Sequence, residues 1–180
     1  MKYALIATYL ALGFCLLILS GCGKKAEEKK PYDVLIKTAE RMNIVCLEHV
    51  GPYDQMGDLF AQLGEYAAQK GLSGEVVGVY YDDPAEVPAA SLRSEIGISV
   101  PEGFVPDSGY TVKVIPEQKV VYAVLKGPYD EIAREYPYMY KWIEEKGHKI
   151  KGPLLEIYLE AGPGVPPEQL VTEVRIPIEE

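Results

Sequence analysis

The sequence predicts an α+β fold: tandem duplicated β-α-β-β units forming a shared, mostly antiparallel sheet, with two helices on one face. Three observations lead there. Gly51-Pro52-Tyr53-Asp54 recurs as Gly127-Pro128-Tyr129-Asp130, 76 positions later. Short β-branched runs and stretches of helical apolar spacing follow each other in the same order in both copies. The matches then continue through the second copy with one two-residue insertion: Lys70-Gly71 lies over Lys146-Gly147, and at an offset of 78 Tyr80 matches Tyr158, Val87-Pro88 matches Val165-Pro166, and Glu95 matches Glu173.

Each element has a local cause. Residues 43–50 and 119–126 are β-branched and apolar, hence strands that enter the Gly-Pro turns. An acidic residue after each turn opens a helical pattern. Met56, Leu59, Phe60, Leu63, Tyr66 and Ala67 form the first apolar stripe, and Ile132, Ala133, Tyr136, Tyr140 and Ile143 the second, with Trp142 beside it. Gly71 and Gly147 are suited to stop these helices, and Pro137 should kink or split the second. Residues 76–82 and 154–160 read as second strands, and 92–100 and 170–178 as third strands. A three-stranded half cannot bury its sheet face and its helix alone, so the halves share one sheet. The repeats cover about 43–102 and 119–180 of a domain spanning 43–180.

The leading residues read as an address. Lys2, an apolar run from Tyr3 to Leu19, and Ser20-Gly21-Cys22 have the order of a secretory signal, 1–21. Leu19-Ser20-Gly21-Cys22 looks like the lipobox of bacterial lipoproteins, in which the cysteine becomes lipidated. The expectation is a chain attached through lipid at Cys22 to the extracytoplasmic side of a bacterial membrane, in the cell envelope. Residues 22–42 are then the lipidated cysteine and a charged tether, of which 33–41 add a short helix or continue the tether.

Composition narrows the function. At 180 residues, 48% hydrophobic and 25% charged, the chain is too apolar for disorder and too charged for a multi-span membrane protein. Twenty-seven acidic against 18 basic residues argue against a nucleic-acid partner, which needs a basic surface. No cofactor or metal is expected, since His49 and His148 have no Asp or Cys at ligand spacing. The unusual figure is 14 tyrosines against three phenylalanines.

Strand alternation sorts the side chains onto two faces. One set, including Val45, Leu47, Val77, Val79, Ile96, Ile98, Val121, Ala123, Leu155, Ile157, Val174 and Ile176, is apolar and expected beneath the helices. The other holds Cys46, Glu48, Gly78, Tyr80, Glu95, Tyr122, Glu156, Tyr158, Glu173 and Arg175. The repeat relates Tyr80 to Tyr158 and Glu95 to Glu173 about a pseudo-twofold axis. Aromatic rings around a carboxylate suit a lipophilic cation, because the ring faces and the acid both attract it. The expected ligand residues are Glu173, Tyr80, Tyr158, Tyr122, Trp142 and Glu95, with Arg93 and Arg175 standing two positions from the two acids as competing counter-ions.

On these residues the chain resembles the GyrI-like small-molecule-binding family, which includes the effector-binding domains of AraC- and MerR-type multidrug regulators. The likeness covers about 43–180 and rests on the paired Gly-Pro-Tyr-Asp turns, Tyr80-Tyr81-Asp82-Asp83-Pro84, Tyr140-Lys141-Trp142-Ile143 and Thr172-Glu173-Val174-Arg175-Ile176-Pro177-Ile178. The resemblance implies the repeat fold derived above, with a ligand groove between the halves in which Glu173 matches a last-strand glutamate facing cationic drugs. It also implies an alternative: hydrolysis of strained electrophilic small molecules, with Glu173 as the catalytic carboxylate. With the expected anchor outside the cytoplasm, transcription control and gyrase inhibition are out of reach. The leading expectation is a binding module for hydrophobic or cationic small molecules; a flat open face would instead favour an envelope protein-interaction module.

Overall fold

The computed structural model describes residues 30–162 and 164–179. The signal stretch 1–21 and Cys22 lie outside the described residues. Eight strands form one antiparallel sheet: β1 (Leu35–Ala39), β2 (Met42–Val50), β3 (Val76–Tyr80), β4 (Arg93–Ser99), β5 (Thr111–Ile115), β6 (Gln118–Lys126), β7 (Leu154–Glu160) and β8 (Val171–Pro177). Helix α1 (Gly57–Lys70) belongs to the first repeat, and α2 (Tyr129–Ala133) with α3 (Tyr136–Glu145) to the second. The expected α+β duplication is the observed architecture.

Local chemistry explains the helix ends. Gly71 takes φ 64° and donates to the carbonyls of Ala67 and Ala68, a left-handed stop that a side chain would strain. Pro137 sits in the first turn of α3, where its missing N–H costs nothing, so the second helix is split there into α2 and α3.

The strand order is β1-β6-β8-β7-β3-β4-β2-β5. β1 and β2 are six strand positions apart in this order, about 29 Å in a flat sheet. Yet the step from Ala39 to Met42 spans at most about 11 Å. Ile115 and Gln118 impose the same condition on β5 and β6. The sheet therefore curls until its edges approach each other, a half-barrel with the helices on one face. Both edge strands were absent from the reading of the sequence. β1 lies inside the stretch expected to be tether or short helix, and pairs with β6 from Leu35↔Tyr122 to Ala39↔Gln118. β5 pairs with β2.

Cross-strand register shows which residues share a face. One row runs Leu47, Ile96, Gly78, Glu156, Val174, Ala123 across the six inner strands. Leu47 and Ile96 join the core beneath α1, with Val45, Leu63 and Ile98. Ala123 and Val174 join the core beneath α2 and α3, with Ile132, Met139 and Ile143. Gly78 and Glu156 thus stand at the centre of the helix-bearing face, between the two helix-covered cores.

This corrects the expected sorting of faces. Val77, Val79, Leu155 and Ile157 do not lie beneath the helices but fill a third core on the opposite face with Ile44 and Cys46. Alternation reveals which residues share a side, not which side a helix covers. A curled sheet buries both faces of its central strands, so their apolar set can point away from the helices.

Candidate functional site

Tyr80 ends β3, while Glu156 and Tyr158 lie on the same side of β7. Register places Tyr158 beside Val76 and Glu156 beside Gly78, so all converge on the gap between the helices. A Cβ at Gly78 would lie 2.8 Å from the Tyr158 hydroxyl and 2.9 Å from the Tyr80 ring. The absence of a side chain at 78 is what lets both phenols lean over the sheet toward the carboxylate.

Glu156 is only 8% exposed. Tyr158 donates to its Oε2 at 2.7 Å and Tyr80 to the same oxygen at 3.4 Å; Tyr136, from the first turn of α3, donates to Oε1. The Tyr80 and Tyr158 hydroxyls also touch each other at 2.9 Å. Around them stand further rings. Tyr53, from the first Gly-Pro turn, meets Tyr80 edge-on at 5.0 Å. Tyr129, from the second, meets Tyr158 at 5.5 Å, and Phe60 of α1 meets it at 5.2 Å. Such edge-to-face pairs are favourable and hold ring planes at defined angles.

The electrostatics follow from burial. Loss of water pushes the Glu156 carboxyl above the usual glutamate range, opposed by the hydrogen bonds from Tyr136, Tyr158 and Tyr80. Burial, and then the neighbouring carboxylate, raises all three phenols, which stay protonated donors. No lysine, arginine or histidine among the described residues pairs with Glu156. The arrangement is a buried acid with phenol donors, aromatic walls and no internal counter-ion.

Of the expected ligand residues, the fold brings together Tyr80 and Tyr158, but not with Glu173 or Glu95. Glu173 lies on the face away from the helices, where Arg175 and Lys37 of β1 both donate to Oε1, the latter at 2.5 Å. Those two cations hold its carboxyl below the usual range against the effect of burial. Glu95, also on that face, accepts from Lys113 of β5 and, at 2.8 Å, from Tyr81. Arg93 is not its counter-ion, as expected, but pairs with Asp82 at 2.7 Å. Tyr122 lies on the same far face beneath Lys37, 4.4 Å from its ammonium. Trp142 packs against the core beneath α2 and α3, with Lys146 over its ring at 5.6 Å. The edge strands supply the lysines that neutralise both acids, pairs that cannot be foreseen without those strands.

Glu156 and Tyr136 were the residues not singled out. A signal existed: the stretch Leu154-Leu155-Glu156-Ile157-Tyr158 carries one acid among apolar residues, two positions from Tyr158 on its own face. No trio of His, Cys, Asp or Glu among the described residues is placed to hold a metal ion.

Known proteins share this arrangement of elements. A "DNA gyrase inhibitor" of Citrobacter koseri is 30% identical over 137 residues, covering 72% of this chain and 88% of that protein. The EcmrR C-terminal domain superposes with a TM-score of 0.70 at 20% identity, over 84% of this chain and 99% of its own. SAV2435 bound to tetraphenylphosphonium does so with a TM-score of 0.52 at 14% identity, over 82% and 94%. The model of the GyrI-like small molecule binding domain matches residues 32–179, and the chain belongs to that family.

Proposed function

We propose that this protein binds hydrophobic, cationic small molecules through Glu156 and its ring of tyrosines. The observation that carries the reading is the missing counter-ion. Glu95 and Glu173 are buried with cations, whereas Glu156 is buried with phenols alone. An unpaired buried carboxylate is costly, by several kcal/mol before hydrogen bonds offset part of it. A ligand cation with apolar substituents supplies the missing charge and covers the rings, each ring face adding on the order of 0.5 to 2 kcal/mol. Tetraphenylphosphonium, held by a protein of the same fold, is a molecule of this kind.

The test is titration with tetraphenylphosphonium. Glu156→Gln keeps the shape and removes the charge, and should weaken binding by roughly 10- to 100-fold, the range of one charge-assisted interaction. Glu179→Gln, at an exposed pair with Lys149, should not change it. Equal affinities for the two variants would overturn the assignment.

The second reading is catalytic, and the raised Glu156 carboxyl beside phenol donors favours it: such a group can take a proton from water attacking an electrophilic ligand. Turnover that disappears in Glu156→Gln while binding persists would select it, and unreacted ligand recovered from wild type would select the binding reading.

The binding module is carried outside the cytoplasm by lipid on Cys22. Leu19-Ser20-Gly21-Cys22 supports this, by the lipobox logic. Mass spectrometry of the mature N-terminus should find a diacylated cysteine, and an intact Met1 would exclude it.

A further inference from the structure

On the face opposite the tyrosines, a cleft of about 470 Å³ opens where the curled sheet brings β1 toward the start of β2 and the end of β4. Three of its lining residues are the cations Lys37, Arg41 and Arg175, in a chain whose net charge is -9; Arg41 is itself exposed and pairs with Glu102 at 3.9 Å, so the positive charge of the cleft rests on Lys37 and Arg175. Glu40 and Glu75 also line it, and like Arg41 both are exposed, where water screens them. Arg175 is different: its side chain is only 13% exposed, so its charge acts through a poorer dielectric. Its Nε is bound to Glu173, and no described residue accepts from its two terminal nitrogens.

Comparison of the repeats shows that this positive end is not a by-product of duplication. Lys37 and Glu173 are the counterparts of Lys113 and Glu95 at offsets of 76 and 78. The third members diverge. In one cluster Lys37 and Arg175 share the single carboxylate of Glu173, a surplus of one positive charge. In the other, Lys113 is shared by Glu95 and Glu48, a surplus of one negative charge, and Gly97 stands where the second repeat has Arg175. Charge has been added to a cluster that an ion pair already neutralises, and its free guanidinium edge faces a cleft large enough for a small molecule.

We propose that this cleft is a second binding site, specific for a small soluble anion bearing a carboxylate or phosphate group. The terminal nitrogens of Arg175 form a planar fork that matches two oxygens of such a group, and Lys37 adds a point charge beside it. The site is independent of Glu156, with the opposite charge preference and on the opposite face.

Calorimetric titration of the full chain at fixed ionic strength, with succinate in one arm and inorganic phosphate in the other, tests it. Saturable binding is expected for at least one, and the tighter arm assigns the carboxylate or phosphate source. Arg175→Gln should weaken it by roughly tenfold or more, the loss of a charged fork. Arg134→Gln, at an exposed pair with Asp130, should leave it unchanged. In wild type the Arg175 Nε–H NMR resonance should shift with the same saturation curve, a readout that holds even if Arg175→Gln folds poorly. Glu156→Gln should bind the anion as wild type does, which separates this site from the cation site. Absence of saturable binding in both arms, or an Arg175 resonance indifferent to bound anion, would overturn the proposal.

Discussion

Glu95, Glu156 and Glu173 are each less than 9% exposed, and what distinguishes them is the partner each finds. For Glu156 the partners are neutral, so its protonation is tied to folding and to ligand in opposite senses. Its carboxyl is raised in the folded state, so the folded protein keeps a proton that an unfolded glutamate has lost. The stability from that proton is complete below the ordinary value of 4.5 and is lost as pH rises through the folded value. Cation binding needs the ionised form and grows over the same interval. In denaturation series against pH, wild type should therefore lose stability relative to Glu156→Gln as pH rises above 4.5, while its tetraphenylphosphonium affinity increases. Parallel curves for wild type and variant would show that Glu156 does not titrate in this way. A neighbouring position supports a smaller prediction. The Thr172 hydroxyl is fully buried without a partner among the described residues, whereas its repeat counterpart Ser94 reaches Met56 Sδ at 3.2 Å. Ile132 stands where the first repeat has Met56. Thr172→Val should accordingly be neutral or stabilising by up to about 1 kcal/mol in urea unfolding, since it removes a polar group that gains nothing from burial.

Among the elements, the edge strands do two things. They complete the curl of the sheet, and each delivers one lysine to a buried glutamate: Lys37 from β1 to Glu173, and Lys113 from β5 to Glu95. The consequences of losing them are unequal. Without Lys37, Glu173 still has Arg175. Without Lys113, Glu95 keeps only hydrogen bonds, from Tyr81 at 2.8 Å and weakly from the Cys46 thiol at 3.8 Å, whose own ionisation burial pushes up to about 12. Removing one partner of a buried pair strands the other charge, at a cost of roughly 3 kcal/mol or more. Lys113→Met should thus cost several times as much unfolding free energy as Lys37→Met. Equal costs would mean that the two clusters are equivalent despite Arg175.

At the scale of the molecule, duplication provides a near-symmetric frame and divergence leaves a single buried carboxylate at its centre. The pseudo-twofold axis passes between Gly78 and Glu156, which face each other across β3 and β7 and are counterparts in the repeat. Tyrosines survive on both sides of the axis, as Tyr53 with Tyr129 and Tyr80 with Tyr158, but the carboxylate exists on one side only. A second acid at 78 would collide with the phenols and repel the first. One lipophilic cation per chain is therefore the expected stoichiometry by calorimetry, despite two repeats. A value of two would show that the halves bind separately.

The order of residues along the chain encodes the local and the repeated: six of the eight strands, the helix stops at Gly71 and Gly147, the break near Pro137, and the duplication that places Tyr80 and Tyr158 together. These are legible because turn chemistry and side-chain period act over a few neighbouring residues. The edge strands were not. β1 and β5 are only five residues each, with Lys37 and Lys113 at their middles, and what holds them as strands is pairing with the distant β6 and β2. Which acid is left without a cation follows from packing in three dimensions. Alternation grouped Glu95, Glu156 and Glu173 on one side, but the two central strands β3 and β7 turn their polar residues toward the helices, and their neighbours β4 and β8 turn Glu95 and Glu173 away. Burial and pairing depend on what lies across the sheet and over it, and no interval along the chain encodes that.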